Sequence, residues 1–164
     1  MGCNQNMTIA KKLQGYLKDH EIKYRLITHP HTGSSMGSAE QAHIPGDALA
    51  KGVLLKDVDG YLLVVVPSDY HIELDSLQKL SGRKMGMANE EDLAGQFSDC
   101  EVGAIPPIGH VYGITTLWDP NTSLGKLDKV YFEAGDHEHL VQVSGEKFHE
   151  LMAPADRGEF SHHL

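Results

Sequence analysis

Apolar residues recur along this chain in two periods, and the switches between them predict its elements. Ile9, Leu13, Tyr16 and Leu17 fall on one face of a 3.6-residue repeat, so a helix is expected over 9–20. Thr8 stands where an N-cap belongs, and Lys11, Lys12 and Lys18 occupy the opposite face. A strand is expected over 24–28, followed by the polar loop His29-Pro30-His31-Thr32-Gly33-Ser34-Ser35. Ser38 with Gln41 three residues on reads as a capping box for a short helix, which Ile44-Pro45-Gly46 breaks. Asp47 can cap a further turn through Ala50.

Two β-rich runs, 51–56 and 61–67, flank Asp57-Val58-Asp59-Gly60, the pattern of a hairpin. Helical spacing follows over 75–81 and stops at Gly82, and 84–88 is a short strand. Asn89 caps a helix through Phe97 whose first turn holds Glu90, Glu91 and Asp92, where the helix dipole favours negative charge. Strands are expected over 111–118, 129–134 and 140–143, with Ser144 capping a last helix through Leu151. Residues 1–6 and 153–164 are expected to be mobile tails. Helices and strands interleave without a repeat or a linker, which predicts a single mixed α/β domain spanning 1–164.

Composition narrows the field. The 164 residues carry a net charge of −9, which argues against DNA and against a broad nucleic-acid surface. The charge is polarised: through Lys56 there are seven Lys or Arg against four Asp or Glu, and over 133–159 two against seven. A polyanion would therefore approach the N-terminal half. The longest apolar run, 61–67, suits a buried strand and is too short to span a bilayer, so no membrane association is expected. MGCNQNMTIA lacks the basic and apolar regions of a secretory signal, and Asn6 departs from the myristoylation pattern. Two isolated thiols, Cys3 and Cys100, fit a reducing compartment, and the expected location is the cytoplasm.

Familiar catalytic signatures are missing. His29-x-His31, His137-x-His139 and His162-His163 have neither the HExxH form nor accompanying cysteine pairs, so no metal is expected. Cys100 lies between Asp99 and Glu101, neighbours that raise a thiol pKa. Two features stand out. Lys51 opens the apolar strand of ALAKGVLL, where it can reach solvent or face a pocket. The stretch GAIPPIGH, Gly103 to His110, joins two prolines that fix φ to glycines that permit close backbone approach. It reads either as a rigid turn packed on the core or as the wall of a site.

Taken together, Lys51 in ALAKGVLL, the loop in EVGAIPPIGH, the strand end YFEAGD and the helix entry SGEKF resemble the YbaK-like aminoacyl-tRNA editing family, which includes the editing domain inserted in bacterial prolyl-tRNA synthetases. The resemblance runs from about Met7 to Leu151. It implies a compact domain with a mixed, partly barrel-like sheet surrounded by helices, and a pocket between the lysine strand and the Gly-Pro loop. The implied activity is hydrolysis of the ester on a tRNA mischarged with alanine, cysteine or serine. No cofactor is implied. The partners would be the acceptor end of aminoacyl-tRNA and a synthetase.

In that reading Lys51 holds the terminal phosphate or the developing negative charge, and the Gly103 N–H faces the oxyanion. Ala104, Ile105, Pro106, Pro107 and Gly109 line the pocket for a small amino acid, with Gly135 and Asp136 at the neighbouring strand end. His110 either contacts substrate or is structural. Two positions depart from the family pattern: Ile108 stands where phenylalanine is common, and Glu133 where serine or histidine is usual. Glu133 would either pair with the substrate's α-ammonium or signal another substrate. A binding module that keeps the pocket without catalysis, and a hydrolase of small esters, are the competing readings.

Overall fold

The computed structural model describes residues 9–30 and 35–163. Within them five α-helices alternate with ten strands: α1 (Lys11–Asp19), β1 (Arg25–Thr28), α2 (Ser35–Gln41), β2 (Leu49–Asp57), β3 (Gly60–Pro67), β4 (Tyr70–Ile72), α3 (Leu74–Ser81), β5 (Gly86–Met87), α4 (Glu90–Gln96), β6 (Thr116–Trp118), β7 (Lys129–Glu133), β8 (His139–Ser144), α5 (Gly145–Leu151), β9 (Asp156–Arg157) and β10 (Ser161–His163). The fold is mixed α/β, as the alternation of periods predicts.

The main sheet runs β1-β8-β7-β2-β3-β6-β9, with β5 also paired to β2. It is mixed: β7 pairs with β2, β6 with β3 and β9 with β6 in parallel, and the remaining pairs are antiparallel. The path from β1 to β9 stays open, so the barrel-like character stops short of closure. The β2–β3 hairpin forms where the DVDG turn predicts it. One Asp57 carboxylate oxygen accepts the N–H groups of Asp59 and Gly60, and Arg83 clamps the same carboxylate with two donors.

β2 is the organising strand because one of its edges is shared. At Leu49 and Ala50 that edge pairs with β7, and at Leu55 and Lys56 it pairs with β5. Between these contacts, from Lys51 to Val53, no strand among the described residues completes the ladder on that side, and the Leu54 carbonyl accepts the Ala88 N–H. A sheet that splits in this way leaves a crevice at the C-terminal end of the parallel strand, here β7.

The core divides between the two sheet faces. One face carries Ala50, Val65, Phe132 and Val141, covered by Leu13 and Leu17 of α1, Phe148 and Leu151 of α5, and Ile108. Trp118 meets Phe148 edge-on, with ring centroids 5.6 Å apart. Leu54 and Leu63 extend this face onto Phe97, Ile105 and Ile114. The other face carries Leu49, Leu140 and Tyr131 under Ala39 of α2, and farther along Val64, Val66 and Leu55 under Leu77 and Phe160.

Several local expectations change. Thr8 lies outside the described residues, and α1 starts after Ala10, which makes no side-chain cap. Ser38 sits inside α2 and is not its cap, because the helix already begins at Ser35. The strand expected over 111–118 shortens to β6, since Gly109–Tyr112 close into a 3₁₀ turn ended by Gly113 at φ 73°. Asn89 caps α4 as expected, Asp92 makes the cap reciprocal by accepting the Asn89 N–H, and Ser144 caps α5 by accepting the Lys147 N–H.

The segment from Ala153, expected as a tail, contributes two short strands. Asp156 and Arg157 pair with Leu117 and Trp118, and β10 pairs with β4. Phe160 between them is fully buried against Leu77, Met85 and Val64. A single aromatic anchor in a polar segment outweighs the composition that predicts a loose end.

Candidate functional site

Lys51 and Glu133 stand on either side of the crevice, at the point where β2 and β7 part. The β2–β7 register pairs Leu49 with Tyr131 and Ala50 with Phe132, so its next step sets Lys51 beside Glu133. Side chains alternate along strands, so both project on the face of Leu49 and Tyr131. Lys51 is half-buried, and desolvation lowers its pKa while the nearby Asp69 carboxylate opposes the shift. Glu133 is 1% exposed. Burial pushes its carboxyl up to about 7; the Ser38 hydroxyl of α2 works against the shift and the Asp136 charge adds to it. The crevice thus carries a half-buried ammonium group on β2 and, at the end of β7, a buried carboxyl raised to about 7.

The turn after β7 is fixed by its own side chains. One Asp136 oxygen accepts the N–H groups of Glu138 and His139, and the other lies 2.6 Å from His139 Nδ1. Asp136 is therefore spent on holding the turn. Gly135, at φ 110°, adopts a conformation that suits glycine, and its carbonyl accepts the Glu101 N–H. His137 turns inward, 2% exposed and at φ 59°. Its Nε2 donates to the Val102 carbonyl over 2.9 Å, and its Nδ1 lies 3.9 Å from a Glu133 oxygen.

The Gly-Pro loop divides into two parts with different roles. Its leading turn, Glu101 to Gly103, is exposed and reaches the turn after β7 through the Gly135 and His137 contacts. Gly103 has φ 87°, in the left-handed region. The remainder runs under the sheet on the face opposite Lys51 and Glu133. Ala104 and Pro106 are buried, Ile105 packs with Leu54 and Leu63, and Ile108 packs with Ala50 and Val65. A Cβ on Gly52 would stand 3.3 Å from the Pro107 Cα. Gly109 has no room either: a Cβ there would lie 2.5 Å from Thr116 Oγ1. The expected pocket lining by Ile105, Pro107 and Gly109 is thus replaced by core packing, and only the turn at Gly103 comes round the sheet edge.

His110 also leaves the expected group. Its ring meets Tyr16 edge-on at 5.6 Å and lies near His20 and the Leu151 carbonyl, between α1 and α5. Desolvation lowers its pKa. This is the structural reading of His110. Cys100 is no nucleophile: its Sγ lies 3.3 Å from the Asp99 carboxylate, and burial pushes the thiol up to about 12.

Sequence reasoning missed His137, Ser38 and Asp69 as neighbours of the site. His29, just past the end of β1, is buried with its backbone N–H donating to the Glu138 carbonyl. His137 was visible only as half of a histidine pair. Its inward direction depends on the Asp136 turn, which places alternate residues on opposite sides.

Comparison with known proteins now gives the class. The pattern of the aminoacyl-tRNA editing domain matches residues 29–151, and the chain belongs to that family. Among solved structures, hypothetical protein APE2540 superposes with a TM-score of 0.79 at 21% identity, over 92% of this chain and 99% of that one. A candidate trans-editing enzyme for prolyl tRNA synthetase superposes with a TM-score of 0.77 at 19% identity, over 93% and 96%. A candidate signal transduction protein from Marinobacter aquaeolei VT8 matches with a TM-score of 0.70 at 22% identity, where 92% of this chain covers 30% of that one. At these identities the likeness shows the fold. Among curated proteins none matches the sequence. No helix among the described residues is long and apolar enough to cross a membrane.

Proposed function

We propose that the chain is a trans-acting deacylase that hydrolyses the ester between a small amino acid, alanine, cysteine or serine, and the 3′ end of a mischarged tRNA. The observation that carries this reading is the parting of β2 from β7 just beyond Leu49–Tyr131 and Ala50–Phe132, which leaves Lys51 and Glu133 next in line on one face of the crevice. An aminoacyl ester presents a cationic α-amino group, a carbonyl that becomes an oxyanion, and a phosphate close by. A carboxyl, an ammonium and an exposed backbone turn at Gly103 answer those groups.

The chemistry is addition followed by elimination. Water attacks the ester carbonyl, a tetrahedral oxyanion forms, and collapse releases the amino acid and the ribose hydroxyl. The proton lost by water ends on the departing ribose oxygen. Lys51 meets the terminal phosphate or the oxyanion, and the Gly103 N–H donates to the oxyanion. A donor of this kind typically contributes ~10²–10³ in rate. The nucleophilic water is held by backbone groups and the substrate's own hydroxyl. Editing is needed because a methylene gives a synthetase only about 10–200-fold discrimination.

The net charge of −9 restricts tRNA contact to the acceptor end, with Lys11, Lys12 and Lys18 on the exposed face of α1 available to phosphates. That substrate, and a synthetase that delivers it, belong to the cytoplasm. The test is deacylation of a panel of tRNAs charged with alanine, serine or cysteine by the purified protein. Turnover of at least one supports the reading. A folded protein that turns over none of them fits the binding module instead.

A further inference from the structure

His137 is not accounted for by that mechanism, yet it is the side chain that touches both halves of the site. We propose that His137 is a positioning residue that joins the Glu133 carboxyl to the Val102–Gly103 turn, so that a free α-ammonium bound at Glu133 is registered at Gly103. The inference rests on the editing reading of the same crevice and extends it to a requirement for an unblocked amino group.

Four observations support it. First, His137 keeps a left-handed φ of 59°, a conformation that only a few per cent of non-glycine residues adopt. Such a conformation persists only where the surroundings enforce it. The Asp136 turn does so from outside, and the Val102 contact holds the ring from inside. Second, a carbonyl oxygen can only accept, so the 2.9 Å contact to Val102 places a hydrogen on Nε2. In the neutral ring Nδ1 then carries the lone pair, and it is Nδ1 that lies toward Glu133 at 3.9 Å. Third, both side chains are buried, His137 at 2% and Glu133 at 1% exposure, so a charge on either needs a partner close by. Fourth, bonds of two kinds tie the leading turn of the loop to the turn after β7. One is backbone to backbone, from Glu101 to Gly135; the other depends on the His137 ring.

The groups that face Glu133 come from several elements. Ser38 belongs to α2 and Asp136 and His137 to the turn itself, while Lys51 of β2, with Asp69 near it, is the next register position across from Glu133. An arriving ammonium supplies a counter-charge directly at the buried carboxylate. An N-acylated aminoacyl group, uncharged at that nitrogen, supplies none.

The experiment is NMR on protein labelled with ¹⁵N in histidine and glycine, using L-alaninamide and N-acetyl-L-alaninamide as probes. The wild type should show His137 as the Nε2–H tautomer. L-alaninamide should shift both the His137 ring and the Gly103 amide, and the acetylated probe should shift neither. His137→Gln should lose the Gly103 response, and Glu133→Gln should lose both responses. Should His137→Gln fail to fold, His137→Asn, whose side chain tolerates positive φ, takes its place. A His137 ring in the Nδ1–H tautomer, no ring shift with L-alaninamide, or a Gly103 shift that survives loss of the imidazole would each overturn the proposal. Wild-type deacylation is measured in parallel. Turnover without the NMR coupling removes His137 and leaves the editing reading. Coupling without turnover removes the editing reading and leaves the ammonium site.

Discussion

Pro107 lies directly against Gly52: a Cβ built on Gly52 would stand 3.3 Å from the Pro107 Cα and 3.2 Å from Leu63 Cδ1. This contact seats the Gly-Pro loop under the strand that carries Lys51. Gly52→Ala should push the loop off the sheet and cost about 1–3 kcal/mol, the usual range for overpacking. Chemical denaturation checks the loss. Deacylation per folded molecule should fall as well, because the displaced loop carries Gly103 with it. A melting temperature equal to wild type would show that the loop yields freely.

Lys51→Met tests the cation with little change in volume. The side chain is half-buried and its charge carries a desolvation cost, so removing it should leave the melting temperature level or raised. Activity should collapse in kcat if Lys51 meets the oxyanion, or in KM if it meets the phosphate. Steady-state kinetics on one mischarged tRNA separate the two. Full activity in the variant would remove Lys51 from the mechanism.

Gly103 and Gly109 bracket the loop and should fail differently. Gly103 is exposed with φ 87°, so Gly103→Ala carries backbone strain of about 1 kcal/mol in addition to its effect on the N–H. Gly103→Asn, which tolerates positive φ, should recover the stability and leave the rate defect. Gly109→Ala meets Thr116, the Ile114 carbonyl and Leu63, and should lose stability first. Single-turnover rates beside thermal melts distinguish these outcomes. Equal rates for wild type and both Gly103 variants would make the whole loop a packing element.

Much of this architecture is legible in the sequence because its signals are local. The DVDG turn, the Asn89 and Ser144 caps and the periodicity of α1 each depend on residues within one element, and each appears where the pattern places it. The site is less legible because it depends on which face a residue takes after the sheet forms. Ile105 and Ile108 look equally able to line a pocket or a core until the register puts their packing surface opposite Lys51. Glu133 is marked in the sequence only as a departure from a family pattern. Its neighbour His137 lies beyond sequence reasoning because its inward turn is set by a positive φ.

The same limit applies to the C-terminal segment, where one side chain decides the outcome. Phe160 is fully buried beside Leu77 and Met85, and its carbonyl accepts the Glu73 N–H. Phe160→Ala should cost about 3–5 kcal/mol, and deleting 155–164 should cost more, since it also removes β9 and β10. Urea unfolding of both variants measures this. A truncated protein as stable as the full chain would return the segment to the mobile tail that its polarity suggests.

Glu133 gives the fold a pH dependence of definite sign. Its carboxyl rises from an ordinary 4.5 to about 7 on folding because burial penalises the charged form. The folded state therefore binds that proton more tightly than the unfolded chain. The associated stability is complete below about pH 4.5 and is lost as pH rises through about 7. The full shift corresponds to roughly 3 kcal/mol. Glu133→Gln removes the titration and keeps the shape. The variant should match the wild type near pH 4.5 and exceed it above pH 7.5, with the gap opening between those limits. The check is a series of urea melts from pH 4 to 9 on both proteins. A constant gap across the series would mean that Glu133 keeps its charge when buried, with a partner in the crevice balancing it throughout.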